Sequence, residues 1–123
     1  MRLAATEAPA FMDAPGASIR GVDWGGMRCV QIELGPGTDL RPALQGLPDD
    51  SCQVPHWGYV LKGSITIAYT DGQEETMRAG ELFYWPPGHT PRTDEGVTLV
   101  EFSPDRELAA VYDHLGLSNQ PQG

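Results

Sequence analysis

The stretch from Asp50 to Pro91, DSCQVPHWGYVLKGSITIAYTDGQEETMRAGELFYWPPGHTP, constrains the chain more than any other. Short alternating or aromatic-rich segments follow one another between glycines, the pattern of a small antiparallel barrel. Asp71-Gly72 separates two alternating runs, 64–70 and 73–78, and predicts a two-residue type I′ hairpin. That turn would place Tyr69 opposite Glu74, Ile67 opposite Thr76 and Ile65 opposite Arg78, with Ile65, Ile67 and Tyr69 facing the core. Pro86-Pro87-Gly88 forces a corner before His89. The same stretch holds Cys52, His56 and His89, leaving only Cys29 and His114 among the cysteines and histidines outside it.

The flanks fit an all-β domain. Fifteen glycines and 11 prolines in 123 residues favour many short strands over long helices. Residues 1–18 lack periodicity and read as an N-terminal arm, loose or pinned by Phe11 and Met12. A strand over 19–24, a Gly25-Gly26 turn and a strand over 27–34 follow, the second with Arg28, Val30, Ile32 and Leu34 on one face. Cys29 lies on the other face as a small, partly buried thiol. From Thr38 to Asp50 the chain is irregular, with Leu40, Leu44 and Leu47 expected to plug one end of the core. Val97 to Phe102 is the last strand. A helix then starts with Ser103 as N-cap and Pro104 at N1, carries the stripe Leu108, Val111, Tyr112, Leu115 and stops at Gly116. His114, in its last turn, suits a capping role. The expected organisation is an arm over 1–18, a barrel over 19–103, a helix over 104–116 packing on the barrel, and a frayed tail over 117–123.

Eight Lys+Arg against 17 Asp+Glu give a net charge of −9, which repels phosphate backbones and anionic lipid, so neither nucleic acid nor a membrane surface is an expected partner. No apolar run approaches the roughly 18–20 residues of a membrane span, and the first residues lack a continuous apolar stretch. Two cysteines do not make a disulfide framework for a chain of this size. The expected location is the cytoplasm.

Cys52, His56 and His89 are the candidate metal ligands, with Asp50 as a fourth ligand or as the holder of a ring nitrogen. Four residues of straight strand span about 13 Å, too far for Cys52 and His56 to share an ion. Pro55 breaks the ladder and restricts Val54, allowing a bend that folds His56 back. One thiolate and two imidazoles favour zinc over iron, manganese or nickel, and three protein ligands with an open fourth position is a catalytic pattern. Trp57, Tyr59, Phe83 and Trp85 surround the region and are expected to line a pocket for a small organic ligand.

The central stretch, roughly 27–103, resembles the cupin superfamily, which implies a jelly-roll-like β-barrel. Gly80, Pro86 and Gly88 fall on the spacing of the family's second motif, although Pro91 occupies its histidine position and His89 comes two residues early. Counting back from Gly63 along the first motif sets His56 on the glutamate position, Cys52 on the second histidine and Asp50 on the first. The resemblance also implies pairing into a homodimer. Two functions stay open on this reading. One is a metal-dependent enzyme acting on a molecule in the barrel; the other is a ligand-binding or sensor cupin that has lost its metal.

Overall fold

The structure is a computed structural model, and residues 1–119 are described. Eight antiparallel strands form the barrel: β1 (Ala10–Ala14), β2 (Ala17–Trp24), β3 (Met27–Leu34), β4 (His56–Tyr69), β5 (Glu74–Arg78), β6 (Leu82–Trp85), β7 (His89–Arg92) and β8 (Val97–Pro104). One sheet runs β1-β2-β3-β8-β4-β6, and the far half of β4 pairs with β5 and β7 in a second. Strand β4 is the hinge between them. Its inward residues are His56, Gly58 and Val60 in the first sheet but Ile65 and Ile67 in the second. The pairing with β8 slips between Val60 and Lys62. Gly63 sits nearby at φ 76°, where a Cβ would meet the Gly96 carbonyl oxygen at 2.1 Å. An inserted residue of this kind turns the strand and exchanges its faces.

The Gly25-Gly26 turn forms as expected, with both glycines at positive φ and Trp24 opposite Met27. The second hairpin differs by one residue: Ile65 faces Met77 and Ile67 faces Glu75. Its loop has three residues, with Gly72 at φ 88°, and the Asp71 carboxylate accepts the Gln73 N–H. Asp71 thereby avoids the positive φ a type I′ turn requires. The shift also brings buried Met77, rather than Arg78, beside Ile65.

Before β2, the chain adds β1 where the sequence shows only an arm. Its Phe11 is buried, and its ring and that of Tyr112 flank the guanidinium of Arg28 at 4.4 and 4.9 Å. Arg28 is itself buried on the inner face of β3, held by both oxygens of Asp23 and by Asn119. A buried guanidinium survives because its charge and donors are matched. That bond also docks the chain as far as Asn119, so the part of the expected frayed tail up to that residue is anchored; 120–123 lie outside the described residues.

Between β3 and β4 a short helix, α1 (Arg41–Leu44), buries Leu44, with Leu40 and Leu47 packed around it, closing one end of the core. Helix α2 (Asp105–Leu115) lays Leu108, Val111 and Tyr112 over the same end. Its N-cap is Pro104, without a side-chain cap, rather than Ser103. Ser103 instead extends β8 and points inward, fully buried. Gly116 ends the helix at φ 74°, and Leu117 N–H returns to Tyr112 O, the expected stop. His114 bonds the Gln45 carbonyl at 2.8 Å, a surface tie to the α1 segment. No helix among the described residues is long and apolar enough to cross a membrane.

Candidate metal centre

Three separate elements deliver the cluster. Cys52 lies in an isolated bridge to His89, with Cys52 N–H to His89 O at 2.9 Å and His89 N–H to Cys52 O at 3.2 Å. Gly88, at φ 90°, also donates its N–H to Cys52 O, so the Pro-Pro-Gly corner locks onto the cysteine. The ladder is broken between Cys52 and His56, where Pro55 sits, and His56 opens β4 facing Trp85. The result is one potential ligand atom each from Cys52, His56 and His89, all within 4.8 Å of one another and all from buried residues.

Each histidine is fixed through its far nitrogen. His89 Nδ1 donates to the Pro86 carbonyl at 2.7 Å, which leaves Nε2 as a lone pair. That Nε2 is buried with no hydrogen-bond partner among the described residues. His56 Nδ1 lies 2.5 Å from Ser103 Oγ and 3.3 Å from Glu101 Oε2, so with the proton on Nδ1 the other nitrogen, Nε2, carries a lone pair. Nε2 faces Cys52 Sγ at 3.6 Å. Tetrahedral zinc with ordinary bond lengths separates sulfur and nitrogen by about 3.6 Å. A carboxylate or carbonyl behind each ligating imidazole is also the usual arrangement at metal sites. The cluster is compatible with a divalent metal ion.

Burial sets the protonation states. It holds His56 well below the usual imidazole range, with His89 adding to the effect, and it lowers His89 despite the opposing Pro86 bond. Both rings are therefore neutral, the ligating form. Burial pushes the Cys52 thiol up to about 12, so the cysteine is a thiol unless a cation is beside it. Glu101 is pushed up to about 8, again by burial.

A cavity of about 210 Å³ opens beside the cluster. Cys52, His56, His89 and Glu101 form one wall, α1 and α2 contribute Leu44, Leu108, Val111 and Tyr112, and most of the rest is aliphatic. Besides His89 Nε2, Trp85 Nε1 and the Tyr112 hydroxyl are buried without a partner among the described residues. Each such group costs about 1–3 kcal/mol.

Of the residues expected around the site, Asp50 does not join it. It sits at φ 49°, exposed, and its carboxylate accepts the Gly46 N–H. The shared parity with Cys52 fails because Asp50 belongs to a 3-10 turn, not a strand. Trp85 lines the cavity, while Phe83 stacks behind it at 4.1 Å between ring centres. Trp57 and Tyr59 occupy the outer face of β4, and Trp57 packs on Tyr84 at 5.3 Å outside the barrel. Sequence reasoning missed Glu101, Ser103 and Tyr112 as site residues. The signal was present in β8, where the alternation Val97, Leu99, Glu101, Ser103 puts two polar residues on an otherwise apolar inward face.

The family described as a cupin domain matches residues 50–96. No curated protein matches. Among solved structures, the polyketide cyclase RemF from Streptomyces resistomycificus is similar at 22% identity and a TM-score of 0.63, covering 85% of this chain and 78% of its own. An RmlC-like cupin from Shewanella frigidimarina NCIMB 400 is similar at 18% identity and 0.61, covering 87% and 93%. KdgF from Halomonas sp. is similar at 19% identity and 0.60, covering 85% and 94%.

Proposed function

We propose, for a chain that has the cupin fold, that it binds one divalent metal ion through Cys52, His56 and His89 and holds a small organic molecule in the adjoining cavity. The observation that carries this reading is the buried Nε2 of His89, without a partner among the described residues, sharing a cluster with the Cys52 sulfur and an imidazole whose other nitrogen is already engaged. Zinc is the preferred ion, because one thiolate and two imidazoles form a soft, three-ligand set with a position left over. A bound divalent ion would supply Lewis acidity to an oxygen of the molecule in the cavity. The chain's own part is to keep water out with an aliphatic wall, to hold His56 through Ser103 and Glu101, and to hold His89 through Pro86. The fold does not choose the reaction. RemF is a polyketide cyclase; catalysis by this chain would use the ligand position that three protein donors leave free on a bound ion.

The metal-free binder is the second reading. It is favoured by the 3.6 Å contact between Cys52 Sγ and His56 Nε2, which also suits an S–H···N hydrogen bond, but it leaves His89 Nε2 without a partner among the described residues. Elemental analysis of untagged protein separates the two, with near-equimolar zinc expected in the wild type and lost in Cys52→Ser and His89→Ala. Cobalt-loaded protein should show sulfur-to-metal charge transfer that vanishes in Cys52→Ser. Protein that takes up no metal from any divalent salt would sink the first reading. Pairing into a homodimer is proposed through the outer face, where Trp57, Leu82, Tyr84 and Phe102 are exposed and adjacent across β6, β4 and β8. Light scattering after size exclusion tests it.

A further inference from the structure

A metal ion would satisfy one of the three orphaned polar atoms around the cavity and leave two. Trp85 and Tyr112 both line it, both are almost wholly buried, and the indole N–H and phenolic hydroxyl find no partner among the described residues. An indole N–H only donates, whereas a phenol donates and accepts. Their common complement is an oxygen with lone pairs on whatever fills the cavity.

The remaining wall limits what else that molecule carries. Its side chains are otherwise mainly aliphatic, from β2, β3, β8 and the two helices, so a polyhydroxylated ligand would lose most of its hydrogen bonds on entry. Among the described residues no Lys or Arg lines the cavity, and the nearby Arg28 guanidinium is already engaged by Asp23 and Asn119. The two charges of a divalent ion would be matched by a Cys52 thiolate and a Glu101 carboxylate, so nothing in the wall calls for an anionic ligand. Size gives the last bound. An engineered cavity of roughly 150 Å³ takes benzene. The cavity of about 210 Å³ here has room for a single ring with a substituent.

We infer that the cavity selects a neutral, largely hydrocarbon molecule of about one six-membered ring bearing a hydroxyl or carbonyl oxygen, with Tyr112 on the covering helix as the residue that recognises that oxygen. Edge packing against Phe11 holds the Tyr112 ring, so the hydroxyl is positioned before any ligand arrives. The inference rests on the cavity being a ligand site, as proposed above, and not on which ion occupies the cluster.

Isothermal titration of the full chain with phenol, toluene, benzoate and glucose tests it, in zinc-loaded protein and after EDTA treatment. Phenol and toluene have nearly the same shape, so their difference reads the oxygen alone. Phenol is expected to bind about five- to tenfold more tightly than toluene in the EDTA-treated protein, with Tyr112→Phe removing most of that margin and leaving toluene unchanged. Benzoate and glucose are expected to bind more weakly than phenol. Equal binding of phenol and toluene by the wild type, tighter binding of benzoate or glucose, no binding of any probe, or an unchanged margin in Tyr112→Phe would overturn it. Failure to load zinc with the phenol margin intact refutes the metal reading alone; zinc loading with no margin refutes this one alone.

Discussion

Replacing Glu101 by Gln in metal-free protein should change how stability depends on pH, by an amount the structure sets. The carboxyl is buried on β8 and pushed up to about 8, whereas an unfolded chain releases that proton near 4.3. The folded protein therefore holds the proton more tightly, and the stability this gives is fully present below the unfolded value and lost as pH rises through about 8. Between about pH 5 and pH 7 the unfolded carboxyl is mostly ionised while the folded one stays mostly protonated, and linkage gives a loss of about 2–3 kcal/mol. Lowering the folded value by a whole unit changes that loss by only a few tenths, because the unfolded group dominates over this window. His56 and His89 act in the other direction. Burial holds both below the usual imidazole range, so their contribution is present above about 6.5 and is lost as pH falls. Comparing wild type with Glu101→Gln removes the histidine contributions to first order. Urea unfolding in EDTA at three pH values should show the variant gaining about 2–3 kcal/mol on the wild type between pH 5 and 7. Saturating zinc should shrink that gain, since a cation near Glu101 favours its carboxylate. A difference that stays flat with pH, or falls, would refute the reasoning about this buried carboxyl.

Other consequences follow from packing. A Cβ at Gly58 would lie 2.1 Å from the Val100 carbonyl oxygen and 2.4 Å from the Phe83 ring, so Gly58→Ala should cost about 3 kcal/mol and lower Tm by about 10 °C; an unchanged melt would contradict it. Leu108→Ala, at the buried face of α2 and in the cavity wall, should cost about 2–5 kcal/mol and admit a ring with a longer substituent, read by calorimetry. Deleting residues 1–18 removes β1 and the Phe11 ring beside Arg28, so urea midpoints should fall sharply; a truncated chain of wild-type stability on the same gel-filtration peak would show β1 to be dispensable.

The fold was legible because its signals are local. Glycine pairs, alternating runs and the apolar stripe of α2 each act over a few residues, and the structure forms β3, the Gly25-Gly26 turn and the helix stop at Gly116 where those signals place them. The structure departs from those signals where a side chain finds a partner that the local pattern does not show. The Asp71-Gly72 loop gained a residue because a carboxylate could cap a backbone N–H instead of entering positive φ. Ser103 suits an N-cap, but as the next inward residue of β8 it meets His56 Nδ1 and leaves the cap to Pro104.

Residue types alone specified that one thiol and two imidazoles flank a proline break and a Pro-Pro-Gly corner, in a chain of net charge −9. Convergence was another matter. Cys52 meets His89 through a bridge spanning 37 positions of chain, and His56, at the start of β4, meets Glu101 and Ser103 on the neighbouring strand β8. Such contacts depend on which strands neighbour each other and on the inserted residue that turns β4. Exposure was decided at the same level: the inner face of the sheet puts Trp85 of β6 in the cavity, while the outer face leaves Trp57 of β4 exposed. Sequence fixes side-chain chemistry position by position, but a site's donors and its emptiness come from distant segments, and only closing the barrel sets which of them share a volume.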